Sequence, residues 1–166
     1  VIAAVVLAAG AASRFGEPKQ RPLLPRVLER LGEASLDEIV VVSGAHELDP
    51  GAARLVACPG WERGPGASLR CGLAALSWDT EAAVVCLADG PNLAAAAVER
   101  VVDAWRAEEG HVVAASYGGN RGHPVVLGRR AWASVPDEGM RALSATLVPC
   151  DDLGSPGDID SPEDLA

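Results

Sequence analysis

The stretch that decides the fold reads AVVLAAGAASRFGEPK, Ala4 to Lys19. An apolar run stops at Leu7, small residues follow through Ala12, and two cations, Arg14 and Lys19, come just beyond. An apolar run without alternation fits a strand buried on both faces, as in a parallel sheet. Gly10, flanked by alanines, lets a backbone approach a ligand closely, and N–H groups after a strand can point at an anion. Two well-known phosphate loops are excluded by spacing. Gly10 to Gly16 does not fit G-x-x-x-x-G-K-[ST], and G-x-G-x-x-G fails as well.

Similar runs recur along the chain. Val1–Leu7, Glu38–Ser43, Ala82–Ala88, His111–Ser116 and Pro124–Leu127 read as strands, and Pro22–Leu31, Ala67–Leu76 and Leu93–Glu108 as helices. In the last helix Val98, Val101, Val102 and Trp105 fall at i, i+3, i+4, i+7, which makes one apolar side. Asn92 is the expected N-cap. Alternating strands and helices imply an α/β, three-layer Rossmann-like sandwich with a mostly parallel sheet and right-handed crossovers. Ligands of such sheets sit beyond the carboxyl ends of strands, here after Leu7, Ser43, Ala88 and Ser116. Near the end, Asp158-Ile159-Asp160 precedes Ser161-Pro162-Glu163-Asp164, a strong helix start.

The 166 residues fit one domain, 1–166, and no apolar run approaches the roughly 20 residues of a membrane helix. The N-terminus lacks a basic region before its apolar run, so no signal peptide is expected, and the expected location is the cytoplasm. A formal charge of −9 argues against general nucleic-acid binding but not against a small anionic ligand held by local cations, amides or a metal. Cys58, Cys71, Cys86 and Cys150 show no C-x-x-C spacing and are expected to be buried thiols.

The longer string Leu7–Lys19, L-A-A-G-x-x-x-R-x-G-x-P-K, resembles the signature of the MobA-like nucleotidyltransferases. The resemblance continues in order through Gly60–Arg70 (W-x-x-G-x-x-x-S-L), Leu87–Pro91 (L-x-D-x-P), Gly119–Val125 (G-x-x-G-H-P-V) and Asp158–Leu165 (D-I-D-S-P-E-D-L). Judged by A-A-G, G-H-P and D-I-D, the MocA-like molybdenum cofactor cytidylyltransferase branch is the most similar. The resemblance implies a fold of the nucleotide-diphospho-sugar transferase type. It also implies transfer of a nucleoside monophosphate from a nucleoside triphosphate, CTP for preference, to a phosphate ester such as molybdopterin, releasing pyrophosphate.

By that resemblance Leu7, Ala8, Ala9 and Gly10 would cradle the nucleotide. Arg14 would reach the β- and γ-phosphates, and Lys19 would stabilise charge on the α-phosphate and departing pyrophosphate. Asp89, just past a strand, and Asp160, with Asp158 nearby, would hold Mg²⁺, a hard ion that takes oxygen ligands. Gly66 and Ser68 would meet the base or ribose, unless Ala67 or Ser68 simply caps a helix. His123 would contact the acceptor. A phosphate monoester is already nucleophilic near neutral pH, its second pKa being about 6, so no Ser-His-Asp triad is needed and none is seen.

The stretch between Lys19 and the next helix is shorter than the resemblance implies, as are Gly51–Leu55 and Arg141–Ala145; this is either a compact member or a chain with segments missing, and on the second, preferred reading a break falls between Gln20 and Arg21. Gly90 and Asn92 around Pro91 also depart from the bulkier residues usual there, which bears on acceptor identity. Two other readings keep the fold. One is a nicotinamide-dependent, nicotine-blue-type oxidoreductase, which would need no metal-carboxylate pair. The other is a pterin-cofactor binding protein that delivers its cargo to a molybdoenzyme.

Overall fold

The computed structural model describes residues 1–9, 20–45, 47–108 and 111–156. Seven strands, β1 (Ile2–Ala8), β2 (Glu38–Ser43), β3 (Arg54–Ala57), β4 (Ala82–Leu87), β5 (Val112–Tyr117), β6 (Asn120–Gly128) and β7 (Thr146–Pro149), form one sheet in the order β3-β2-β1-β4-β6-β5-β7. Among the described residues three α-helices accompany them: α1 (Gln20–Gly32), α2 (Pro65–Ala74) and α3 (Ala95–Glu108). β6 runs antiparallel to β4 and β5, and the other pairings are parallel.

The expected sandwich is present. On β1, Ile2, Ala4, Val6 and Ala8 face a core built with Leu24, Val27 and Leu31 of α1 and Val98, Val101 and Val102 of α3. Ala3 and Val5 face the opposite core with Leu69 and Leu73 of α2. Successive strand residues point to opposite faces, so a strand covered on both sides has to be apolar throughout. Gly72 allows α2 to lie close to the sheet, since a Cβ there would stand 2.6 Å from Val5 and 2.7 Å from Val42. No helix among the described residues is long and apolar enough to cross a membrane.

Several expectations are corrected. The edge strands β3 and β7 were not foreseen, because both are four residues long and largely exposed. β6 extends well beyond Pro124–Leu127 and runs antiparallel, because Gly118-Gly119 closes a two-residue hairpin. Both glycines have positive φ, 61° and 79°, the geometry that matches the twist of paired strands. Asn92 does not cap α3, which starts at Ala95; Asn92 instead lies in a turn, and its N–H donates to the Pro156 carbonyl. Neither Ala67 nor Ser68 caps α2, because Pro65 occupies its first turn and starts it two residues early. Helix α1 runs through Gln20 and Arg21, so no break falls between them. Cys58 and Cys71 form a disulfide, with Cα atoms 5.9 Å apart, and only Cys86 and Cys150 are free buried thiols. The residue after β3 and the body of α2 meet above β2, a proximity that sequence spacing does not reveal.

Candidate active site

Of the four strand ends singled out above, three have their last carbonyl taken by neighbouring backbone, Leu7 among them, which accepts the Ala88 N–H at 3.0 Å. The Ser43 carbonyl accepts the Cys58 N–H at 2.8 Å, and the Ser116 carbonyl accepts the Cys150 N–H at 2.9 Å. The ends at Leu7 and Ala88 lie together at the centre of the sheet, where Leu7 and Leu87 are register partners. Two cavities flank them. One, about 150 Å³, lies on the α2 side and is lined by Leu7, Pro65, Leu69, Met140 and Glu138 among others. The second, about 200 Å³, lies on the α3 side against Cys86, Gly90, Leu93, Tyr117 and Pro156. Leu87, Gly122, His123 and Arg141 line both.

The local sequence builds these walls from glycines and turns. Trp61 lies so close over Gly44, just past β2, that a Cβ there would stand 2.7 Å from the Trp61 Cβ. The W-x-x-G segment is thereby seated before α2. The Gly66 N–H donates to the Asp137 carbonyl at 2.9 Å, and a Gly66 Cβ would overlap the Pro136 carbonyl oxygen and lie 2.7 Å from its carbon. Glycine is required there by the approach of a neighbouring loop. Arg70 holds the same loop, donating to the Val135 carbonyl at 2.7 Å and pairing with Asp137. Ser68 is buried. Residues four apart share a helix face, and α2 offers the cavity Pro65 and Leu69 rather than Gly66 and Ser68.

Leu7 is half-buried at the cavity wall, and Ala8 and Ala9 are buried behind it. Asp89 is half-buried in the turn after β4. His123 stands between the cavities, and burial pushes its imidazole down to about pKa 4. Asp89 opposes that shift, while Arg121 and Arg141 add to it. The imidazole is therefore neutral at pH 7 and can both donate and accept a hydrogen bond. The Tyr117 hydroxyl donates to the His123 carbonyl at 2.8 Å, and burial raises Tyr117 to about 12. Burial likewise keeps Cys86 protonated, at about 12. Gly10, Arg14, Lys19, Asp158 and Asp160, with the helix start at Ser161, lie outside the described residues. Among the described residues no group of three or more histidines, cysteines or carboxylates could hold a metal. Mg²⁺ is commonly bound by one or two carboxylates plus substrate phosphates, so Asp89 alone fits as one ligand of such an ion.

Sequence reasoning missed Arg121 and Arg141. Arg121 lay inside the G-N-R-G-H-P-V segment, but nothing in that string indicated what it holds. It donates to the Leu143 carbonyl at 2.6 Å and the Met140 carbonyl at 3.0 Å. Arg141 follows the buried Met140 in a short 3₁₀ turn, Met140–Ala142, which this clamp helps to hold beside the cavities.

The model of the MobA-like NTP transferase domain matches residues 4–149. The chain belongs to that family. Solved structures agree on the fold of this MobA-like domain. A homologue of Rv0371c from Mycobacterium sp. strain JC1 is 22% identical, with TM-score 0.81 and coverage of 99% of this chain and 92% of that one. Rv0371c from Mycobacterium tuberculosis H37Rv is 26% identical, with TM-score 0.80 and coverage of 99% and 95%. A further structure of Rv0371c is a complex with manganese. A nucleotidyl transferase from Methanothermobacter is 20% identical, with TM-score 0.75 and coverage of 99% and 94%. No curated protein matches the chain.

Proposed function

We propose that the chain is a Mg²⁺-dependent nucleotidyltransferase of the MocA-like branch, moving CMP from CTP onto a phosphate ester such as molybdopterin. The observation that carries this reading is the meeting of two cavities at His123, beyond the carboxyl ends of β1 and β4, in a chain of this family. That is where α/β sheets bind nucleotides. Leu7–Gly10 cradle the nucleotide, Arg14 and Lys19 neutralise the triphosphate, and Asp89 and Asp160 are the metal ligands. The manganese complex of Rv0371c is in keeping with a divalent ion. When bound, the ion supplies positive charge to the phosphates.

The reaction then needs positioning more than covalent help. An oxygen of the acceptor phosphate attacks the α-phosphorus and forms the new P–O bond. The bond from the α-phosphorus to the oxygen bridging to the β-phosphate breaks, and pyrophosphate leaves with that oxygen. The acceptor is ionised near neutral pH, so no base has to remove a proton. Neutral His123 is suited to orient the acceptor by hydrogen bonding. The apolar walls of Leu7, Leu69 and Leu87 exclude water that would hydrolyse the triphosphate.

The test is a panel of four nucleoside triphosphates with Mg²⁺ or Mn²⁺ and molybdopterin, scoring pyrophosphate. Release from CTP that depends on both metal and molybdopterin is expected. No release from any triphosphate would overturn the proposal.

A further inference from the structure

Two guanidiniums, those of Arg121 and Arg141, stand where the two cavities meet, with the carboxylates of Glu138 and Asp89 on the same site. Arg141 lines both cavities, is exposed, and makes no hydrogen bond or ion pair with a described residue. Arg121 lines the α2-side cavity and is close enough for the two guanidiniums to repel, an effect that adds to burial in lowering the Arg121 pKa. Glu138 lines that cavity too, yet no ion pair joins it to either arginine. Holding two like charges together costs free energy unless an anion arrives between them.

The two arginines differ in what they hold. Arg121 spends two donors on the carbonyls of Met140 and Leu143, which fixes the turn. Arg141, carried on that turn, keeps its donors for the cavity mouth. A guanidinium fork matches a phosphate group with two parallel hydrogen bonds.

We propose that Arg141 is the residue that selects the acceptor, binding its phosphate group where the two cavities meet, and that Arg121 is the positioning residue that aims it. This rests on the transferase reading for the word acceptor, but the anion site itself does not.

The proposal separates the ligands: the triphosphate is held by the loop after β1, the acceptor's phosphate by the turn after Gly139. The class of acceptor follows. It carries a terminal phosphate monoester, and a neutral alcohol or an uncharged pterin would be rejected.

The test uses phenyl phosphate as probe, titrated into the whole chain with and without Mg²⁺ and a non-hydrolysable CTP analogue. Binding is read from the amide NMR shifts of Gly122 and His123. Arg141→Ala should weaken phenyl phosphate about 10- to 100-fold, the usual worth of a charge-assisted hydrogen bond. Arg141→Lys should recover part of the loss, and the CTP analogue should bind both variants as it binds the wild type. Arg121→Met should weaken phenyl phosphate and also shift the amide of Leu143, whose carbonyl Arg121 holds, more than Arg141→Ala does. The proposal is overturned if the wild type shows no saturable shift, if Arg141→Ala binds phenyl phosphate normally, or if it loses the CTP analogue equally. Arg141-dependent binding of phenyl phosphate without any binding of the CTP analogue would keep the anion site and sink the transferase reading.

Discussion

Gly66→Ala separates two reasons for a glycine, contact with a nucleotide and contact with the fold. The added Cβ would overlap the Pro136 carbonyl oxygen and lie 2.7 Å from Pro136 C and 3.0 Å from Asp137 C. These are backbone atoms, so either the 135–139 loop or the start of α2 has to move. Moving the loop endangers the Gly66 N–H to Asp137 bond and the Arg70 bond to Val135, worth about 1 kcal/mol each. It also uncovers part of the buried Val135, for about another 1–2 kcal/mol. The better helix propensity of alanine returns up to about 1 kcal/mol. The net loss should be about 2–3 kcal/mol, or roughly 4–12 °C in Tm for a chain of this size. Gly32→Ala is the control. Nothing lies within 4 Å of its Cβ position, so alanine at this last residue of α1 should leave stability unchanged or slightly raised. Urea unfolding of both variants decides the matter. If Gly66→Ala is as stable as the wild type, the packing argument fails and nucleotide contact becomes the better reason for glycine there.

Three further outcomes follow from particular groups. His123 has its folded pKa depressed from 6.5 to about 4, so the stability it contributes is present above pH 6.5 and lost as pH falls through 4. Metal-free wild type should therefore lose roughly 2 kcal/mol more than His123→Gln between pH 7 and pH 4.5 by urea unfolding, and parallel pH profiles would refute the neutral imidazole. Alkylation of air-purified, denatured protein should label Cys86 and Cys150 alone until a reductant is added, and Cys71→Ser should cost about 3 kcal/mol for losing a cross-link of sequence separation 13. Four reactive thiols before reduction would contradict the pairing. Asp89→Ala should lower pyrophosphate release by about 10²–10³ or more with Tm nearly unchanged, and wild-type turnover would remove it from the site.

Much of the layered architecture could be read from the chain because burial on both faces leaves a mark that needs no partner to interpret. Val1–Leu7, Ala82–Ala88 and the Ile39–Val42 interior of Glu38–Ser43 had to be apolar throughout, and each became a central strand within a residue of its expected ends. Edge strands leave no such mark. Arg54–Ala57 and Thr146–Pro149 are exposed on most of their residues, so no run of apolar side chains was needed. The Gly118-Gly119 pair is a hairpin turn, and the antiparallel direction of β6 follows from it rather than from any apolar run.

At the candidate site, the sequence by itself determined the residue types at the ends of β1 and β4, Leu7 through Gly10 and Asp89, because position after a buried strand is a local property. It also determined that His123 stands in a glycine- and proline-flanked segment. Only the tertiary structure decided that Gly66 serves a loop from residues 135–139, that Cys58 reaches Cys71, and that Arg121 helps to hold the turn of Arg141 beside two cavities. Those facts depend on contacts between segments far apart in the chain. A spacing pattern records which face a residue presents, not which distant backbone comes to meet it.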